Sequence, residues 1–275
     1  MQLSGKTALV TGATDGVGRL VAHELARGGA RVLLHGRDAQ KLAAVRDEIR
    51  NACGSDQLET LRADLAALAE VRALAAEVID ATDQLDILIN NAGVGSKSAH
   101  GAGRETSRDG HELRFAVNYL AHFLLTELLL PTIQRSAPAR IVNVSSAGQH
   151  PIDFDDVMLT RGYDGTRAYC QSKLAQILFT VELAERLAGT DVTVNCLHPS
   201  TYMNTTMVRT AGHTPISKVE DGAAAVLRLA TAPELDGVTG RYFNVTTEAR
   251  ANVQAYDPTA RNRLWDLSRQ LTGLA

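Results

Sequence analysis

Cysteine is scarce: Cys53, Cys170 and Cys196 are the only three in 275 residues. An odd, widely spaced set builds neither a disulfide framework nor a metal-ligand pattern, and burial as small hydrophobes accounts for all three. A reducing, cytoplasmic setting is therefore expected. Charge of one sign is missing too, since 28 Lys plus Arg face 31 Asp plus Glu, a formal net charge of −3. Without a basic excess, neither nucleic acid nor an anionic membrane surface is expected as a partner. The opening MQLSGKTALVTG lacks a charged region followed by an apolar core and a cleavage site. No apolar run approaches the length of a bilayer span. His23, His35, His100, His111, His122, His150, His198 and His213 make no zinc-like spacing with each other or with cysteine, so no metal is expected. Repeats, low-complexity tracts and linker-like shifts are also lacking, which leaves one domain over 1–275.

What is present is an ordinary globular composition, 45% hydrophobic and 21% charged, on a chain long enough for a well-buried core. Short apolar runs at 6–11, 31–36, 57–64, 85–93, 139–148 and 191–199 alternate with helical patterns, and 240–245 offers a seventh strand. The helical patterns follow the glycine-rich turn, begin at the cap Asp38, cover 66–82, 108–134 and 166–179, and close the chain at 257–272. The strands are continuous apolar runs and do not alternate with period two, as strands covered on both faces require. The expected fold is α/β: a Rossmann-like, doubly wound parallel sheet of about seven strands with helices on both faces, in a single domain.

The first strand enters TGATDGVG (11–18), which opens the first helix. Gly12 permits the tight turn, Gly16 a close backbone approach to phosphate, and Gly18 close packing of helix on sheet. A pyrophosphate placed there meets unpaired amides and a favourable helix dipole. In TRAYCQSKLAQILF (166–179), Tyr169 and Lys173 lie one turn apart at the edge of an apolar helical stripe. They read either as the rim of that stripe or as a phenol acidified by an ammonium; the fourteen residues alone leave both open.

The glycine spacing of TGATDGVG, Asn90-Asn91-Ala92-Gly93 after strand four, and Tyr169-x-x-x-Lys173 come in that order over about 160 residues. Together they resemble the short-chain dehydrogenase/reductase family, and AYCQSKLAQILFTVELAERL with RIVNVSSAG is most similar to its retinol-dehydrogenase-type carbonyl reductases. The resemblance implies hydride exchange between a nicotinamide and a ketone, aldehyde or secondary alcohol. Tyr169 is then the proton donor or acceptor, and Lys173 lowers its pKa and holds the nicotinamide ribose. Ser146, favoured over Ser145, meets the substrate oxygen; Asn118 bends its helix and holds a water in a proton relay. Dinucleotide contacts fall on Gly12, Thr14, Asp15, Gly16, Val17 and Gly18, on Asp64 and Leu65 near the adenine, and on Asn91, Ala92 and Gly93 along the ribose. Gly36 and Arg37 stand where NAD-using relatives place an acid, so NADP(H) is expected over NAD(H), Arg37 forking onto the 2′-phosphate. Asp15, by contrast, lacks the basic residue of some NADP-using relatives.

The chain departs from the family in two places. Pro199-Ser200 replaces the common Pro-Gly, and Asn204, with Thr205 and Thr206 beside it, falls where relatives offer a threonine to the carboxamide. The segment 147–165 lengthens the stretch between Ser146 and Tyr169, and its Asp153, Asp155 and Asp156 read as a solvated acidic loop. Substrate loops are expected at 94–104, 147–165 and 200–217, with Met203, Met207 and Val208 brought over an apolar ligand. A homodimer or homotetramer is implied, with two long helices available as an interface. The alternatives are a dinucleotide-binding sensor or scaffold, and a carbon–carbon double-bond reductase on the same fold.

Overall fold

A computed structural model describes residues 2–97, 101 and 103–274. Residues 98–100 and 102 of the expected loop 94–104 lie outside the described residues. The sheet contains β1 (Thr7–Val10), β2 (Arg31–Gly36), β3 (Leu58–Arg62), β4 (Ile87–Asn90), β5 (Ala139–Val144), β6 (Val192–His198), β7 (Tyr242–Asn244) and β8 (Thr247–Ala249). Their order is β3-β2-β1-β4-β5-β6-β7-β8; β1 to β7 are parallel, and β8 returns antiparallel beside β7. The eighth strand exceeds the seven expected because three residues of mostly exposed Thr-Glu-Ala carry no apolar signal.

Helices cover both faces. On one side α1 (Gly16–Arg27), α2 (Ala39–Cys53) and α8 (Val219–Thr231) close an apolar layer that includes Ala8, Val10, Val32 and Leu34. On the other, α3 (Leu68–Ala81), α5 (Ala121–Arg135), α6 (Gly165–Arg186) and α9 (Pro258–Thr272) close a layer that includes Leu9, Leu33 and Ile141. Neighbours in a strand thus feed opposite cores, which is why the strands read as unbroken apolar runs. Caps set the helix ends: Asp38 accepts from the amides of Gln40 and Lys41, and Asp164 from that of Arg167. Beyond the expected elements stand α8 and the short α7 (Thr206–Thr210); α7 is only five residues and buries none of them.

The stretch expected at 108–134 is α4 (Leu113–Phe115), a π-helical segment (Ala116–Leu120) and α5 joined end to end. The expectation that no segment nears bilayer length needs correction, because Leu113–Arg135 is long and apolar enough to cross a membrane by length and composition. Its polar interruptions, Asn118 and His122, hid that length, and the helix is mostly buried inside the protein. α9 packs across α6. Trp265 packs edge-on against Phe123 at 5.2 Å and stacks on Phe179 at 6.0 Å, while Arg186 lies 4.0 Å from its ring centroid. Arg261, buried, meets Glu182 at 3.2 Å and Glu185 at 2.6 Å.

Replacing Trp265 by alanine removes the ring that α5, α6 and α9 share. Urea unfolding is expected to show a loss of about 3–5 kcal/mol; a loss below about 1 kcal/mol would mean that α9 docks loosely.

Candidate active site

The turn after β1 is knotted to the turn after β4 by one buried hydroxyl. Thr11 Oγ1 accepts from the amides of Asn91 (2.8 Å) and Ala92 (3.0 Å), and Asn91 Nδ2 donates back to the Thr11 carbonyl at 2.9 Å. Asn91 therefore spends its side chain holding the two turns together. Gly12 has φ +69°, and a Cβ there would sit 2.9 Å from the Cα of Ala92. A Cβ on Gly18 would fall 2.3 Å from the Gly12 carbonyl, so α1 can rest on the turn only with glycine at that place. Asp15 caps α1, accepting from the Gly16 amide at 2.8 Å, and Val17 is buried behind it.

Thr14 packs over Gly36, where a Cβ would stand 2.7 Å from its methyl. Arg37 follows and is exposed. Beside it stands Arg62, which no sequence pattern points to and which pairs in register with Gly36 and donates through Nε to the Arg37 carbonyl at 3.2 Å. Two guanidinium-bearing residues thus share this edge; only strand register, which the sequence does not spell out, could have found the second. Asp64 accepts from the Ala66 amide at 3.0 Å, and Leu65 is buried next to it. His35 was also missed: its Nδ1 faces the Gly12 amide at 3.4 Å, its Nε2 faces the Ala63 carbonyl at 3.1 Å, and burial pushes its pKa down to about 4.

Four side chains converge beside this turn. Lys173 is buried, and its Nζ donates to the Val144 carbonyl at 2.8 Å and to Gln176 Oε1 at 2.9 Å. The Nζ lies 5.8 Å from the Tyr169 ring centroid. Burial pulls its pKa down to about 7. Burial also pushes the Tyr169 phenol up, against a hydrogen bond from Ser146 that pulls it down. The expected acidic phenol is thus not what the protein groups alone produce. The lysine is only partly charged near neutrality and spends two donors elsewhere, so desolvation of the phenolate wins. Ser146 lies at the end of β5 against Tyr169, with its Oγ accepting from the Gly148 amide at 3.0 Å. Ser145 faces away and donates to the Lys173 carbonyl at 2.7 Å.

Asn118 sits inside the π-helical stretch and is wholly buried. Its Oδ1 accepts from the Val94 amide at 2.7 Å, and its Nδ2 donates to the Val94 carbonyl at 3.1 Å and to Ser172 Oγ at 2.9 Å. His122 lies one turn on, with Nδ1 3.0 Å from the Asn118 carbonyl and Nε2 3.2 Å from Thr11 Oγ1. Those partners assign the proton to Nδ1, and burial with the nearby Lys173 pushes its pKa down to about 3. Gly93 keeps a gap open here: a Cβ would fall 3.1 Å from Asn118 Oδ1 and 3.8 Å from Lys173 Nζ. A glycine-lined turn at a helix N-terminus and a side-chain-free wall beside a lysine fit a nicotinamide dinucleotide.

The remaining residues are less convergent. Pro199 is buried, and Ser200 bonds to Ser217 at 3.0 Å. Asn204 is exposed and accepts from Arg209 at 2.6 Å, so it is not brought into the site. Thr205 is the residue against the turn, its methyl 3.0 Å from where a Gly16 Cβ would be. Met203 belongs to the core between Val17 and Gly222, while Met207 reaches Gly95 across the cleft. The acidic loop has partners: Asp153 pairs with Arg167 at 3.0 Å, Asp155 with Arg263 at 3.3 Å, and Asp156 caps Thr160 at 2.8 Å. Among the described residues no group of three or more His, Cys, Asp or Glu is placed to hold a metal ion.

A family model described as short chain dehydrogenase matches residues 6–215. Retinol dehydrogenase 13 of Homo sapiens is 41% identical over 292 aligned positions, covering 99% of this chain and 86% of that protein. Among solved structures, a protein from Mycobacterium paratuberculosis is similar with a TM-score of 0.79 at 30% identity, covering 99% of this chain and 95% of its own. The 3-ketoacyl-(acyl-carrier-protein) reductase from Brucella melitensis complexed with NADH has a TM-score of 0.71 at 27% identity, covering 89% and 98%. The Pseudomonas aeruginosa RhlG/NADP active-site complex has 0.70 at 30%, covering 88% and 95%.

The two buried neutral histidines make stability sensitive to acid. Their folded pKa values, about 4 for His35 and about 3 for His122, lie below the ordinary 6.5, so the unfolded chain binds more protons across that window. Stability is full above about pH 6.5 and falls as pH drops toward 4, by up to a few kcal/mol. Urea midpoints measured from pH 7 to 4 are expected to show a shallower fall in H122Q; an unchanged slope would show that His122 does not titrate on unfolding.

Proposed function

The chain belongs to the short-chain dehydrogenase family and is an NAD(P)-dependent oxidoreductase of the retinol-dehydrogenase type, and from that premise we propose that it uses NADP(H) and acts on a ketone, an aldehyde or a secondary alcohol. The observation that carries this reading is the meeting of Tyr169, Ser146, Lys173 and Asn118 from three separate elements beside the open wall at Gly93. A bound nicotinamide supplies hydride exchange at its C4. The chain's own part is to bind, orient and move a proton.

Gly12, Thr14, Asp15, Gly16, Val17 and Gly18 hold the pyrophosphate side, Asp64 and Leu65 the adenine, and Asn91 to Gly93 the ribose. Pro199 and Thr205 hold the carboxamide, Thr205 in place of Asn204 because it alone reaches Gly16. Arg37 and Arg62 clamp the 2′-phosphate, with two guanidinium groups beside a strand β2 that ends in Gly36 and not in an acid. Ser146 holds the substrate oxygen. Tyr169 passes it a proton or takes one. Lys173 completes the pair once its third donor and the positive charge of an oxidised nicotinamide favour the phenolate. The name of the human relative supports an apolar alcohol or aldehyde as the substrate body, and Met207 across from Gly95 lines that route.

We place the enzyme in the cytoplasm, a reading supported by the burial of Leu113–Arg135, the helix among the described residues that is long enough to span a bilayer. A homodimer or homotetramer is the assembly that the resemblance implies. Sedimentation equilibrium reads its size.

Tyr169→Phe is expected to abolish turnover of a carbonyl panel, by about 10²-fold or more, with NADPH affinity from fluorescence titration nearly intact. A variant that keeps most of its kcat would remove Tyr169 from the proton step. Arg37→Ala is expected to weaken NADPH by about tenfold or more, as loss of a charge-assisted bond does, and NADH hardly at all. Equal losses would rule out a phosphate clamp.

A further inference from the structure

Arg114 is the largest wholly buried side chain and has no place in the proton chemistry. It stands one turn before Asn118, and all three of its nitrogens are engaged. Nε donates to the Gly95 carbonyl at 3.1 Å and Nη2 to the Ser96 carbonyl at 3.0 Å, both in the loop that leaves β4. Nη1 donates to the Tyr163 hydroxyl at 2.8 Å, in the lengthened segment ahead of α6. That hydroxyl donates in turn to Glu112 Oε1 at 2.9 Å, and Glu112 Oε2 accepts from the Phe115 amide at 2.7 Å, capping the helix that carries Asn118. Glu112 is itself buried and lies 3.5 Å from Arg114, so the guanidinium is neutralised where it sits.

A buried guanidinium is costly to hold in place, and its planar fork reaches three acceptors that no single ammonium could. What this one joins is specific. On the proposed reading of the site, residues 94–97, which follow Gly93 beside Lys173, and residues 156–165, which lead into α6 and Tyr169, are two walls of the substrate cleft. Resting on the oxidoreductase reading above, we infer that Arg114 is a positioning residue that locks these two walls together through Tyr163 and so sets the width of the substrate entrance. Substrate shape is then selected by a rigid opening, and the catalytic side chains themselves stay out of that choice. Glu105, 4.0 Å from the same guanidinium, adds a second carboxylate on the side of the entrance loop.

The test is Tyr163→Phe, which removes one oxygen and keeps the ring, with Arg114→Lys as a stronger lesion that keeps the charge. The expected result is a KM for the best carbonyl in the panel raised about fivefold to tenfold, as loss of one buried hydrogen bond gives, with kcat within about twofold and NADPH affinity unchanged. Amide hydrogen exchange is expected to rise together at 94–97 and 156–165 and to stay level at 11–18. Exchange rising at 156–165 alone, or KM unchanged, would overturn the inference. So would losses of kcat, NADPH affinity and exchange protection that run together through the whole chain, which is a folding defect only. A wild type that binds NADPH but turns over no carbonyl would sink the oxidoreductase reading, and the exchange pattern would still decide whether the two walls are coupled.

Discussion

Burying the ammonium of Lys173 is the constraint around which the rest of the site is arranged. An unpaired charge at that depth would cost several kcal/mol, and the chain offsets it with the Val144 carbonyl at the end of β5 and the carboxamide of Gln176 on the same helix. Those two bonds fix where α6 lies against β5. They thereby bring Tyr169 to Ser146 and leave one donor of the lysine for a ligand. Burial nonetheless pulls the pKa of the lysine down to about 7.

The second organising element is the junction between the turns after β1 and β4. Thr11 gathers two amides of the Asn91–Ala92 turn, and His122 reaches it from α5 while holding the Asn118 carbonyl. The turns after β1 and β4 and the helix that carries Asn118 are therefore one buried hydrogen-bonded unit. Groups this enclosed cannot move singly without stranding a donor or acceptor.

Recognition of the chemistry from residue types depended on spacing. A helix of period 3.6 puts Tyr169 and Lys173 on one face, which gains chemical meaning only beside the other motifs, and TGATDGVG stands out because the glycines are needed where backbones nearly touch. Residues 200–210 are a loop followed by a single short turn, so nothing periodic says which of Asn204, Thr205 and Thr206 faces the glycine turn; in the fold Thr205 packs against Gly16 and Asn204 bonds to Arg209.

Local pattern alone determined the first seven strands and the helices up to β6, the two-sided burial of the sheet, the glycine turn and the helical face bearing the phenol and lysine. These follow from period, apolar content and backbone sterics, which act over a few residues. Tertiary structure decided what depends on distant partners. Strand register puts Arg62 beside Arg37, and α9 folds back across α6. Desolvation raises the phenol where a neighbouring charge was expected to lower it, and Arg114 reaches two loops that are far apart in the chain. Burial and long-range contact carry no short-range signature, and so these features become legible only once the chain is folded.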